Sequence, residues 1–307
     1  MIPKLDDRGQ LMLVGAVVMA ASLLALVVVL NSTIYTQNTN PGSSLGEMNE
    51  VERQLEVVRT DVDRLTDRLG QRDGYVDIHE LNATLTVYGD RKAEQIVDRR
   101  PAYLDVTLNE SASDLEREVL RQSNRSRAVL SRSNQSDWTL VENATFNEST
   151  PFELVIEPRS PTPTTFIAEG EDGGDWRLNV SQGPSKTVSV EVTYDNGTTV
   201  SESVSGNATR VNVTGGAING TQRFAFAPGL DAPYDLRVEN GHRSDGAYHV
   251  LVDEASDVDT GNFHTDPGDG QPYVSRELST AVVDVEYASD KVSAESQITV
   301  RVGGDSE

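Results

Sequence analysis

The chain has 307 residues, a formal net charge of −23 at pH 7 and no cysteine. The missing cysteine excludes disulfides, thiol catalysis and cysteine metal sites, and the acidity argues against nucleic acid as a partner, since phosphates require a basic surface. Of the 26 basic residues only four are lysines, and this composition favours a halophilic protein, in which salt screens the repulsion between charges, over an ordinary acidic secreted protein.

Residues 10–30 form an uncharged run in which Ser22 is the only polar side chain after Gln10. About twenty helical residues at 1.5 Å each cross the roughly 30 Å core of a bilayer. We therefore expect a transmembrane helix within residues 10–35. Lys4 and Arg8 in the head, residues 1–9, favour a cytoplasmic N-terminus and an extracellular remainder. A cleavable secretory signal is the alternative, but the run is longer than such signals usually are.

Residues 7–11 read Asp-Arg-Gly-Gln-Leu, and this motif resembles the processing site of archaeal type IV prepilins. The resemblance implies cleavage between Gly9 and Gln10 by a prepilin-type peptidase, with the apolar helix retained at the mature N-terminus. It also implies contacts with copies of the same chain or with other pilin-like subunits. Val14 stands where many pilins carry a glutamate. The resemblance therefore points to a pilin-like membrane-anchored surface protein ahead of a filament subunit.

A hinge is predicted at residues 36–44, because Pro41 disfavours a helix before it and Gly42 adds backbone freedom. Ser44 and Glu47 have the spacing of a capping box that opens a helix. Seven apolar residues then recur at alternating spacings of three and four, and Gly70 follows as the predicted end of the helix: Met48, Val51, Leu55, Val58, Val62, Leu65 and Leu69. This stripe predicts a stalk helix that either associates with a partner helix or packs on a second helix of the same chain.

The rest of the region 45–136 is also predicted to be helical. Asp77 and Glu80 predict the start of a second helix, although residues 85–88 are compatible with a helix or a strand. Residues 90–100 favour a helix. Ser113 and Glu116 form another capping-box pattern, which predicts a helix extending to Leu130. We expect these segments to form helical hairpins that cover the apolar stripe.

From residue 137 to 307 the pattern changes to alternating polar and apolar residues separated by turns, which predicts an antiparallel β-sandwich and an α+β protein overall. Asn196-Gly197 predicts a hairpin turn in which both residues take positive φ, and residues 159–165 are rich in proline and predict a connector. Strands are predicted at residues 138–146, 152–157, 187–194, 199–204, 210–213, 223–227, 234–238, 248–252, 281–287 and 297–302.

Twelve of the 17 asparagines lie in Asn-x-Ser/Thr sequons, more than chance gives for this composition. The excess predicts an exported domain that carries glycans, and the alternative is that a Ser/Thr/Asn-rich β-protein accumulates sequons. The candidate glycosylation sites are Asn31, Asn82, Asn109, Asn124, Asn134, Asn143, Asn147, Asn179, Asn196, Asn207, Asn212 and Asn219.

Few residues suggest chemistry. The four histidines are widely spaced and are interpreted as solvent-facing loop residues, with a turn at residues 245–246 between His242 and His249. Asp257 and Asp259 lie in an acidic segment and are weak calcium candidates, the alternative being a solvated loop. No Gly-x-Ser-x-Gly elbow, Ser-x-x-Lys pattern or phosphate-binding loop is present, so we predict no enzymatic activity and no cofactor.

Together these patterns predict a cell-surface structural or interaction protein, a pilin-like subunit or minor pilin anchored by its N-terminal helix. The alternative is a single-pass membrane-anchored extracellular binding module, similar to an adhesin, that does not assemble into filaments. In both cases the bilayer is a partner and the bulk of the chain lies outside the cell.

Overall fold

The structure is a computed structural model that describes residues 44–97, 101–146, 150–253 and 256–302. It contains the helices α1 (Ser44–Asp73) and α2 (Ile78–Val97). The strands are β1 (Ala102–Leu108), β2 (Asp114–Gln122), β3 (Trp138–Ala144), β4 (Phe152–Pro158), β5 (Thr164–Gly170), β6 (Asp175–Gln182), β7 (Thr187–Thr193), β8 (Thr199–Ser205), β9 (Thr209–Asn212), β10 (Ala217–Ile218), β11 (Thr221–Gln222), β12 (Tyr234–Glu239), β13 (Ser244–Val252), β14 (Tyr273–Ser289) and β15 (Ser293–Arg301). These elements confirm the α+β class and a large antiparallel β-sandwich.

The described residues group into two compact units. The first unit contains residues 44–64, 84–97, 101–109 and 282–299. The second unit contains residues 65–83, 110–146, 150–253, 256–281 and 300–302. The predicted head, transmembrane helix and hinge up to residue 43 lie outside the described residues.

In the first unit, β1 pairs antiparallel with the C-terminal half of β14, from Ala102 opposite Ser289 to Leu108 opposite Val283. Helix α2 packs closely on β1 at Gly89, where an added Cβ would lie 3.5 Å from the carbonyl oxygen of Val106. Hydrogen bonds from two side chains of α2 to Asp61 join α1 to α2. An added Cβ at Gly89 would thus be in ordinary van der Waals contact with Val106, which shows that the helix lies directly against the strand.

The second unit is the sandwich. One of its sheets has the strand order β14-β2-β13-β4-β9-β10-β11, and the other has the order β3-β12-β5-β6-β7-β8. Phe152 of the first sheet and Phe166 of the second meet edge to face, with ring centroids 5.8 Å apart, and neither ring is more than 1 % exposed. The sheets are thus joined by a shared apolar core, in which each buried aromatic or aliphatic side chain contributes about 1.5–3 kcal/mol.

The prediction of a helix from Ser113 towards Leu130 is wrong. Residues Asp114–Gln122 form strand β2, which pairs with β13 on one side and with β14 on the other. Leucine, glutamate and arginine favour a helix locally, but two neighbouring strands satisfy the backbone of β2 and bury Val119 and Leu120 completely. Within the described residues of the region 45–136, the helices are accordingly α1 and α2, and residues 85–88 belong to α2.

Three predictions of strand and turn structure need correction. Residues 223–227 do not form a strand; this loop lies over the end of the core, where the indole nitrogen of Trp176 donates to the carbonyl oxygen of Ala225 at 3.2 Å. The predicted connector at residues 159–165 is too long at its end, because β5 already begins at Thr164. Strands β5 and β6 have no counterpart among the predicted strands. Gly70 lies inside α1, and Gly74 instead takes the left-handed conformation after the helix, with φ +79°.

Candidate binding cavity

A row of polar side chains crosses the outer face of the sandwich. His249 of β13 lies opposite Arg121 of β2 and opposite Glu153 of β4. Side chains alternate along a strand, and residues opposite each other share a face. The next residues along two of these strands, Leu120 and Val250, lie in the sandwich core and are 0 % exposed, so the polar row points away from the core.

The turn between the two helices lies against this row, within the same unit. Val76 of the turn accepts a backbone hydrogen bond from Leu278 of β14 at 2.9 Å. Asp77 caps the start of α2, since its Oδ1 accepts from the backbone amides of His79 at 2.9 Å and Glu80 at 3.1 Å. The predicted start of the second helix is confirmed. Glu80, in the first turn of this helix, lies next to Arg121 of the polar row.

Arg121 is the centre of the resulting charge network. Its Nη1 donates to Glu80 Oε2 at 3.0 Å and to Asp77 Oδ2 at 3.4 Å. Burial lowers the pKa of Arg121, but the electrostatic effect of the neighbouring oxygen-bearing side chains outweighs burial and raises that pKa. These side chains are Tyr75, Tyr273, Asp77 and Glu80. Arg121 therefore stays charged although its side chain is only 16 % exposed.

A second arginine completes the network. Arg72 Nη2 lies 2.7 Å from Asp73 Oδ2 and also binds Glu80. Burial raises the pKa of Asp73, but the hydrogen bond and charge of Arg72 outweigh burial and hold that pKa below its usual value. Asp73, Asp77 and Glu80 thus each have an arginine partner.

His249 is the uncharged member of the row. Its ring contacts Tyr75 with centroids 5.6 Å apart, and neither its Nε2 nor the Tyr75 hydroxyl finds a hydrogen-bond partner among the described residues, although both atoms are buried. Burial lowers the pKa of His249 to about 4, because the charge of Asp73 offsets only part of the cost of a buried cation. The prediction of a solvent-facing loop histidine is wrong here, and residues 245–246 lie inside β13 and do not form a turn.

These groups surround an open cavity of about 330 Å³. Its charged lining consists of four arginines, Arg72, Arg121, Arg125 and Arg210, and three carboxylates, Asp73, Glu80 and Glu153. Arg210 Nε lies 3.4 Å from Glu153 Oε2, whereas the exposed side chain of Arg125 makes no ion pair or hydrogen bond with the described residues. The cavity falls at the lower end of the size range of small-molecule sites.

The calcium candidates border a different, acidic cavity of about 770 Å³. There Asp257 Oδ2 accepts from the side-chain amide of Asn143 at 2.8 Å, and Asp259 Oδ1 accepts from the backbone amide of Gly261 at 2.9 Å. Across the described ranges, no three histidine, aspartate or glutamate side chains gather closely enough to hold a metal ion. Asp257 therefore links its loop to β3, and Asp259 closes a turn within that loop.

The apolar stripe of α1 is buried within the single chain at four of its positions. Val58 and Val62 are 0 % exposed, while Val51 and Leu69 are 6 % and 9 % exposed. Leu55 and Leu65 are half-buried, and Met48 is exposed. The stripe therefore packs largely on residues of its own chain, as the second interpretation of the pattern predicts.

A polar contact between the stripe's neighbour Asp61 and α2 fits this packing. Asp61 Oδ2 accepts from the Tyr88 hydroxyl and from Lys92 Nζ, both at 2.9 Å. Burial raises the pKa of Asp61, but these two hydrogen bonds outweigh burial and lower it. In this part of the first unit α2 thus supplies the partner for α1.

The sequon asparagines differ in exposure. Asn31 and Asn147 lie outside the described residues. Half-buried positions are Asn82, Asn109, Asn179 and Asn212, and exposed positions are Asn124, Asn134, Asn143, Asn196, Asn207 and Asn219. The side-chain nitrogen, which would carry the glycan, donates to a carboxylate at Asn82, Asn109, Asn143, Asn179 and Asn212, at 3.2, 2.8, 2.8, 3.5 and 3.2 Å.

The fold and cavity define a two-unit α+β protein that presents a mixed-charge cavity on a β-sandwich. A family model described as a family of unknown function (DUF7261) matches residues 5–133, a range that includes the apolar run, both helices, β1 and β2. No curated protein matches the chain. In the part of the chain that the structure describes, no helix has the length and apolarity to span a membrane, and residues 10–30 lie outside that part.

Proposed function

We propose that the protein is a membrane-anchored cell-surface interaction protein, held in the bilayer by residues 10–30 and carrying its sandwich outside the cell. The observation that carries this proposal is the uncharged apolar run itself, which is long enough to span a bilayer as a helix. Lys4 and Arg8 before the run support a cytoplasmic N-terminus. The excess of sequons supports exposure of the remainder to the cell exterior.

A pilin-like subunit is the first form of this function. The motif at residues 7–11 supports cleavage after Gly9, and the small residues of the apolar run, such as Gly15, Ala16 and Ala20, suit close packing of identical helices. The stripe of α1 is largely buried inside the single chain. Assembly would therefore use residues 10–30 as its helical interface and would leave α1 folded against its own chain.

A monomeric binding module is the second form, and the cavity on the sandwich favours it. Among the described residues, Arg125 at the rim has no ion-pair partner and the buried His249 Nε2 has no hydrogen-bond partner, and a bound molecule could supply both. On this form, the membrane helix holds the sandwich at the cell surface and the cavity takes the ligand.

Mass spectrometry of the mature chain tests the first form, because prepilin-type cleavage gives Gln10 as the N-terminal residue. Gly9→Leu should leave the leader attached, whereas Gly42→Leu should be cleaved normally. Filaments sheared from cells should then contain the chain. An intact N-terminus and an absence of the chain from sheared material would rule out the pilin-like form and leave the binding module.

Anchoring is tested separately by deletion of residues 10–30. The intact chain should sediment with membranes and resist extraction by high salt, and the deletion variant should not. If both chains remain soluble, the proposal of a membrane anchor is wrong in either form.

A further inference from the structure

We propose that the cavity on the sandwich binds a hydroxylated monocarboxylate, the chemistry of a sugar acid, with Arg125 holding the carboxylate. This inference rests on the binding-module form of the proposed function. It concerns only what the cavity recognises, so it is tested by binding in solution and is independent of the anchor.

The charges of the cavity are matched except at one position. Asp73 pairs with Arg72, Glu80 with Arg121 as well as Arg72, and Glu153 with Arg210. Asp77, behind the lining, neutralises Arg121 further. Arg125 is the cavity arginine that has no carboxylate partner within the described ranges, and an arginine guanidinium prefers a carboxylate that accepts two parallel hydrogen bonds.

The remaining lining suits hydroxyl groups. Carboxylates accept hydrogen bonds and arginines donate them. The neutral His249 ring has one buried nitrogen, Nε2, for which the described part of the chain offers no partner. A hydroxyl both donates and accepts, so a polyol can bond to both kinds of group at once. Three carboxylates in the lining disfavour a ligand with several negative charges, and four arginines disfavour a cation.

The experiment is isothermal titration calorimetry of the purified full chain in detergent, with D-glucuronate as the probe. Three control ligands accompany it: D-glucose, which lacks the carboxylate, acetate, which lacks the hydroxyls, and inorganic phosphate, which carries more negative charge. We expect saturable binding of glucuronate at least about tenfold tighter than that of glucose or acetate, since charge-assisted hydrogen bonds contribute about 1.5–3 kcal/mol. Undetectable glucuronate binding, or phosphate binding equal to it, would overturn the inference.

Variants locate the site. Arg125→Gln should weaken glucuronate binding about tenfold and leave glucose binding unchanged, whereas Arg132→Gln, at an exposed arginine outside the cavity, should bind as the wild type does. His249→Gln should weaken both sugars, since the amide cannot reproduce the ring. Equal affinities in wild type and Arg125→Gln would contradict the role of Arg125 even if glucuronate binds.

A capped sugar distinguishes the two sources of such a ligand. Methyl β-D-glucuronide has its anomeric position blocked, as in a glycan. Affinity equal to that of glucuronate supports the terminus of a glycan as the ligand, and a loss of at least about tenfold, the size of one charge-assisted hydrogen bond, supports a free sugar acid.

Discussion

His249 should make the stability of the protein depend on pH between 4 and 6.5. Its pKa is about 4 in the folded chain, and an unfolded histidine has a pKa of about 6.5. As the pH falls below 6.5, the unfolded chain therefore binds a proton at this position before the folded chain does. The contribution of His249 to the free energy of unfolding is fully present above pH 6.5, falls as the pH drops towards 4, and levels off below that value.

The size of the effect follows from the separation of the two pKa values. About 2.5 units at 1.36 kcal/mol each give a loss of roughly 3 kcal/mol between pH 7 and pH 4, as an order of magnitude. Asp73 contributes little in this range, because its pKa is lowered from an ordinary value that already lies below 4. The histidine is therefore separable from the neighbouring carboxylate.

The assay is urea denaturation of the full chain, followed by circular dichroism, at half-unit steps from pH 4 to pH 7. His249→Gln is uncharged throughout, so the difference between wild type and variant should grow as the pH rises from 4 to 6.5. His242→Gln, at an exposed position in a turn, should follow the wild type at every pH. Parallel curves for wild type and His249→Gln would refute the reasoning that burial keeps this ring neutral.

Three further predictions concern the fold, each measured by urea denaturation against wild type. Asp61→Asn should lower the free energy of unfolding by about 1–2 kcal/mol, since it weakens the bonds to α2; a change below 0.3 kcal/mol, within the scatter of surface substitutions, would contradict this role. Asp77→Ala should cost about 2–4 kcal/mol, because it removes a helix cap and leaves Arg121 short of a carboxylate. Gly241→Ala should lower the free energy of unfolding by more than about 2 kcal/mol, because the new Cβ would lie 1.8 Å from a backbone carbonyl oxygen. Gly70→Ala in α1 is the control, and it should leave that free energy unchanged or raise it by up to about 1 kcal/mol.

The elements with regular local patterns could be predicted from the sequence. The heptad spacing predicted α1, and alternation predicted the hairpin of β7 and β8, which pair from Thr187 opposite Ser205 to Thr193 opposite Thr199. The turn itself differs from the prediction, since Gly197 takes positive φ and Asn196 does not. Tyr194 donates to the carbonyl oxygen of Thr198 at 2.9 Å and so closes a loop of three residues, 195–197, which needs the left-handed conformation only at its last residue.

The errors lie where distant partners decide the structure. Strand β2 carries a helix-favouring sequence, and only its pairing with β13 and β14 makes it a strand. The cavity brings Arg72, Arg121 and His249 together from distant parts of the sequence, so their proximity depends on the order and register of the strands.

The most direct test of the proposed function is labelling of intact cells with an amine-reactive reagent that cannot cross membranes. Lys186 is exposed on the sandwich unit and, as one of only four lysines, is readily followed by mass spectrometry. The account predicts that Lys186 is labelled in intact cells, on a chain recovered with the membrane fraction. Labelling of Lys186 only after the cells are lysed would contradict it.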